Sequence, residues 1–137
     1  MALMKTIILI LLALVIALNV TAKEIPDNFF NALHQVETGG RMGAIKGDDG
    51  KALGPFQIHR AYWQDSGIVG KYEDCASYEY SKRVVRAYLK RYGKEFIEKE
   101  DWQSLARIHN GGPQGHKKKA TLPYWEKVKK HLDKNKN

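Results

Sequence analysis

Cysteine is what this 137-residue chain has least of: Cys75 stands alone. Small secreted domains commonly staple themselves with disulfides. None can form within this chain, so packing must supply its stability. The lone thiol reads as a small buried apolar residue, and a Cys–His metal site would lack enough ligands. Two acidic neighbours, Asp48 and Asp49, are not followed by the spaced oxygen ligands of a calcium loop. Neither a metal nor any other cofactor is therefore expected. Ser66, Ser77, Ser81 and Ser104 lack a G-x-S-x-G setting, and no glycine-rich phosphate loop follows a strand. Serine-nucleophile and nucleotide chemistry are thus disfavoured. No basic stripe with interleaved aromatics is present, so nucleic acid is not expected as a partner.

Long hydrophobic runs are also scarce, with one exception at the N-terminus. Met1 to Lys5 make a short positive start, Ile7 to Val20 an apolar core, and Val20-Thr21-Ala22 a small-residue cleavage site. About 14 apolar residues are too few for a comfortable membrane span of roughly 20. Residues 1–22 therefore read as a secretory signal peptide, and 23–137 as one exported domain with no stable membrane insertion, expected to be a monomer. Acids are outnumbered, 15 against 23 lysines and arginines, for a net charge of +8, or +7 once Lys5 leaves with the leader. Such an excess favours polyanions at extracellular or bacterial surfaces.

What is present is mostly helical periodicity. Pro26 suits the first turn of a helix, and Phe29, Phe30, Leu33 and Val36 repeat at helical spacing up to Gly39-Gly40. Met42 to Leu53 is rich in glycine and scattered charge and reads as a loop or small hairpin. A short helix is predicted over Phe56 to Asp65, ended by Gly67. Ser77 opens the clearest helix, with Val84, Val85, Tyr88, Leu89 and Tyr92 on one stripe and Gly93 as its stop. Asp101 caps the next, which carries Trp102, Leu105, Ala106 and Ile108 and ends near Asn110-Gly111-Gly112-Pro113. A basic loop, Gly115 to Lys119, leads to a last helix from Thr121 to Lys134, and Asn135 to Asn137 fray. The fold class is mainly α, a compact helical domain with a small Gly-rich loop or β-hairpin insert.

Chemistry concentrates in two places. Glu37 falls on the last turn of the first helix, bordered by Phe30, Leu33 and Val36, which would desolvate its carboxylate and favour keeping a proton for donation. Asp48 and Asp49 follow in a loop bracketed by Gly47 and Gly50. Two carboxyls in different surroundings across one cleft suit acid catalysis at a glycosidic bond. Taken by themselves, though, turn aspartates are commonly turn formers. His109 and Asn110 end a helix with unusual polarity; they suit hydrogen bonds to sugar hydroxyls, and Asn110 equally suits a cap. Tyr62, Trp63, Tyr88, Tyr92, Trp102, Tyr124 and Trp125 fit a core better than a sugar platform.

Several segments together resemble the invertebrate-type (i-type) lysozyme and destabilase family. They are VETGG at Val36 to Gly40, GPFQIHRAYWQDSG at Gly54 to Gly67, CAS at Cys75 to Ser77, VVRAYLKRYG at Val84 to Gly93, ARIHNGGPQG at Ala106 to Gly115 and TLPYWEKV at Thr121 to Val128. The resemblance covers nearly all of the exported part. It implies a lysozyme-like α+β fold and cleavage of bacterial peptidoglycan between N-acetylmuramic acid and N-acetylglucosamine. By motif, Glu37 matches the family's acid, Asp48 is the best match for its second carboxylate and Asp49 the next. His109 and Asn110 would line the sugar cleft, with Gln57 and Tyr92 as further candidates. The family is rich in cysteine, whereas Gly40, Ser66 and His116 occupy cysteine positions here, marking a cysteine-poor branch. Destabilases add an isopeptidase activity through a serine and a lysine; His59 stands where that lysine is expected, so the activity is not carried over.

The residues leave two rivals to a muramidase. A lytic transglycosylase would use Glu37 alone and form an anhydro-sugar; the likeness of GDDGKALGPFQI to the matching loop of goose-type lysozymes keeps it open. A non-enzymatic cationic wall-binding protein would act through its charge.

Overall fold

The computed structural model describes residues 1–4 and 21–134. The apolar run expected to form the leader, Ile7 to Val20, lies outside the described residues, as do Asn135 to Asn137. Among the described residues, no helix is long and apolar enough to cross a membrane.

Helix α1 spans Asp27–Thr38, with Pro26 at its N-cap and Gly39 in the left-handed conformation at its end, φ 65°. The amides of Gly39 and Gly40 close back on Gln35 and His34 carbonyls, which satisfies the last turn. This stop holds Glu37 on the final turn. Phe29, Phe30, Ala32 and Leu33 are fully buried on the inner face.

The glycine-rich stretch folds into a small antiparallel sheet, β1 Lys46–Gly47, β2 Ala52–Leu53 and β3 Ile58–His59, in the order β1-β2-β3. Ala52, on the middle strand, faces Gly47 on one side and His59 on the other. The third strand is a departure from expectation. The predicted helix over Phe56 to Asp65 begins only at Arg60, because Gln57 adopts a positive φ of 50° that a helix cannot accommodate. Helix α2 is then Arg60–Ser66, ended as expected by Gly67 in the left-handed region.

After a 3₁₀ turn at Tyr72–Ala76, Ser77 caps helix α3, Tyr78–Glu98, by accepting from the Tyr80 amide. Gly93 does not stop this helix; it kinks it, at φ −135° and ψ 22°. The reason is packing: a Cβ at Gly93 would lie 2.6 Å from Leu105 Cδ2 of helix α4, Trp102–Gly111. The missing side chain lets the two helices close, and the stripe resumes with buried Ile97. Asp101 caps α4 through the Ser104 amide, and the end cap is Gly112 rather than Asn110. The basic loop is two 3₁₀ turns, Gly115–Lys117 and Lys119–Thr121, pinned by Arg107 to Thr121 Oγ1 (2.9 Å) and by Thr121 Oγ1 to the Gly115 carbonyl (2.8 Å). Helix α5, Leu122–Lys134, follows and packs on α1 and α4.

One continuous apolar cluster, from Ile25 to Leu132, ties helices α1 to α5 and the sheet together. Cys75 sits inside it, unpaired and fully buried, and burial pushes its thiol up to about 12. It behaves as the sequence suggests, as an apolar filler.

Candidate active site

The helices and the sheet leave between them a cleft of about 620 Å³. α1 delivers Glu37 to it, the β1–β2 turn Asp48, the β2–β3 connection Gln57, β3 His59, α2 Tyr62 and Asp65, and α4 His109 and Asn110. Residues from the two ends of the domain thus share one wall. Asp49, next to Asp48 in the same turn, is not among the lining residues.

Glu37 is gripped on one oxygen only. Its Oε1 accepts from the Tyr124 hydroxyl at 2.6 Å and lies 3.2 Å from His109 Nε2. Tyr62 Oη lies 2.9 Å from the other ring nitrogen, His109 Nδ1. With the ring neutral, Tyr62 O–H donates to Nδ1 and the ring proton sits on Nε2, facing Glu37 Oε1. Burial, reinforced by Tyr88 and by the Glu37 charge, holds the Tyr62 phenol well above 10. Burial followed by the Glu37 charge does the same for Tyr124. Both therefore remain donors at any working pH. The Tyr124 hydrogen bond and the His109 contact both fall on Oε1. The glutamate side chain is 17% exposed and the His109 side chain 4%.

Asp48 sits in the opposite kind of environment. Its side chain is 58% exposed, and its Oδ2 meets His59 Nε2 at 3.2 Å. Asp48 and Asp49 both adopt left-handed backbone, φ 49° and 54°, in a turn closed by Gly50 and Lys51 amides. Gln57 braces this turn from beneath: its amide nitrogen donates to the Ile45 and Gly54 carbonyls (3.2 and 2.9 Å). Its Oε1 presses on Gly47, where a Cβ would collide with it. Gln57, expected at the sugar cleft, does line it, but its amide N–H groups are spent on backbone.

Asn110 lines the cleft and is exposed, free of a capping duty. Tyr92 does not line it; its hydroxyl donates to Asp65 Oδ2 (3.2 Å), a residue that does. Sequence reasoning assigned Tyr62 and Tyr124 to the core and gave Asp65 no role. The aromatic bodies are indeed packed, Tyr62 stacking on Tyr88 at 3.6 Å. The Tyr62 hydroxyl meets His109 and the Tyr124 hydroxyl meets Glu37, contacts that periodicity does not register. Among the described residues, no group of three or more His, Cys, Asp or Glu side chains is placed to hold a metal ion.

A mainly helical domain with a small antiparallel sheet, and a cleft bearing a semi-buried glutamate opposite an exposed aspartate, defines the lysozyme-like α+β class. Comparison with known proteins narrows this further. Residues 27–131 match the Destabilase family, and the chain belongs to it, the family of invertebrate-type lysozymes. The Ostrea edulis lysozyme is 45% identical over 85 residues, covering 59% of this chain and 62% of that protein. The Meretrix lusoria lysozyme is 39% identical over 99 residues, covering 70% and 81%. The chain thus spans less than two thirds of the Ostrea protein that it matches. Among solved structures, Meretrix lusoria lysozyme in complex with Aeromonas hydrophila PliI superposes with a TM-score of 0.67 at 34% identity, over 77% of this chain and 89% of that one. Tapes japonica lysozyme gives the same score and coverage at 32% identity.

Proposed function

We propose that this protein is a secreted, monomeric muramidase that hydrolyses the β-1,4 bond between N-acetylmuramic acid and N-acetylglucosamine in bacterial peptidoglycan. The observation that carries the reading is the pair of unlike carboxyls on one cleft: Glu37 gripped and largely enclosed, Asp48 solvated and beside a histidine. Kinship with lysozymes supports it. Glu37 Oε2 carries the proton to the glycosidic oxygen as the C–O bond breaks. Asp48 stabilises the positive charge left on the sugar, as an ion or by bonding to it. Water then enters, giving a proton to the Glu37 carboxylate, and the free reducing end leaves. The net positive charge holds the enzyme near its anionic wall substrate.

The test is mass spectrometry of muropeptides released from purified peptidoglycan. Hydrolysed reducing ends are expected; anhydro-muramyl ends would instead assign a lytic transglycosylase, and no release at all a wall-binding protein.

Tyr124 supplies a finer check. Tyr124→Phe removes the hydrogen bond held on Glu37 Oε1, so kcat should fall by about tenfold, in keeping with a hydrogen bond to a charged group. Thermal melting should report that the variant still folds, since the ring remains. An unchanged kcat would remove Tyr124 from the site.

A further inference from the structure

We propose that His59 is a positioning residue for the second carboxylate: its ring nitrogen Nε2, in ion-pair contact 3.2 Å from Asp48 Oδ2, holds that carboxylate toward the cleft. The inference rests on the proposed role of Asp48 and deepens it. Asp48 opens the turn that joins β1 to β2, where the left-handed backbone fixes the Cα–Cβ direction and leaves the carboxylate free to rotate into solvent. Among the described residues, His59 is the side chain in ion-pair contact with that carboxylate. The sheet register brings the two together, because Ala52 pairs with Gly47, the residue before Asp48, and with His59.

The neighbours of His59 leave it to this task. Arg60, next in the chain, turns the other way; its guanidinium lies 4.3 Å over the Tyr72 ring and 3.6 Å from Glu73 Oε1. Arg60 and Lys51 line the groove on the far side of His59, together with Tyr72. On the cleft side the ionisable groups are Asp48, Glu37, Asp65, His109 and the phenols of Tyr62 and Tyr88, with Glu37 and His109 already in contact with each other. The imidazole therefore stands as a ridge between a cationic groove and the cleft, with Asp48 its anionic partner.

The proposal is tested with soluble, un-cross-linked peptidoglycan strands, reading reducing ends released by wild type, His59→Ala, His59→Lys, Asp48→Asn and the Asp48→Asn/His59→Ala double variant. His59→Ala should lower kcat by about fivefold, the size an exposed charge pair can supply, with KM held within about twofold. His59→Lys, which restores a cationic N–H donor, should recover most of that loss. In the Asp48→Asn background, removal of His59 should cost nothing further, since it acts through the lost carboxylate. Equal losses in His59→Ala and His59→Lys, a raised KM at full kcat, or additive losses in the double variant would each overturn the inference and leave Asp48 in place. Wild-type kcat in Asp48→Asn would overturn the underlying assignment instead.

Discussion

Glu37→Gln is expected to abolish cell-wall lysis, with reducing-end release down by about a thousandfold, within the range that a lost general acid produces. The argument is about one proton. A glutamine of the same shape can place its carbonyl oxygen where Oε1 is, still accepting from Tyr124 and facing His109. The amide at the other position has no proton acidic enough to give to a leaving alkoxide. Fold and wall affinity should both survive, and melting temperature and co-sedimentation with peptidoglycan check them. The comparison also separates chemistry from charge. A cationic protein killing through its net charge would act equally well as the Glu37→Gln variant and would lose its effect steeply as salt is added. Persistent turbidity loss in the variant at low salt would reassign the protein to that class.

How this site was legible in the sequence differs from residue to residue. Glu37 was readable because its position is set locally: an apolar stripe of period 3.6 runs into Gly39-Gly40, so the last turn is defined within a dozen residues. The cap at Asp101 and the buried Cys75 were readable for the same reason. The lock on Glu37 was not. Tyr124 reaches it across 87 residues, and one hydroxyl leaves no trace in an aromatic stripe that also packs. Gly93 misled because a glycine that ends a helix and one that lets two helices touch look alike; Leu105, on the next helix, decides which it is. The third strand was hidden by Gln57, whose left-handed backbone interrupts what composition alone presents as helix. Asp48 and Asp49 are alike in chemistry and in φ. Which of the two lines the cleft is set by the hairpin register, and by a histidine standing where the family resemblance led one to expect a lysine.

Asp48→Asn carries the second large expected effect, a fall in kcat of about a hundredfold, typical for removing one electrostatic contact to a developing charge. Asp49→Asn should stay near wild type, because its side chain is not part of the cleft. The pair is well matched as a control. Asparagine tolerates the left-handed conformation that both positions require, so neither substitution should strain the turn. The Asp48–His59 contact is largely exposed on both sides, and such pairs contribute about 1 kcal/mol or less to stability. Lost rate in Asp48→Asn would therefore not reflect unfolding, which a thermal melt verifies. The same variant weighs the two enzymatic readings. A transglycosylase closes its own sugar hydroxyl onto the reactive carbon using Glu37 alone, and should tolerate loss of the second carboxylate. A hydrolase must shelter a cation until water arrives. Near-wild-type turnover in Asp48→Asn, with anhydro ends in the product, would move the protein to the first mechanism; a hundredfold loss with free reducing ends in the residual product holds it to the second.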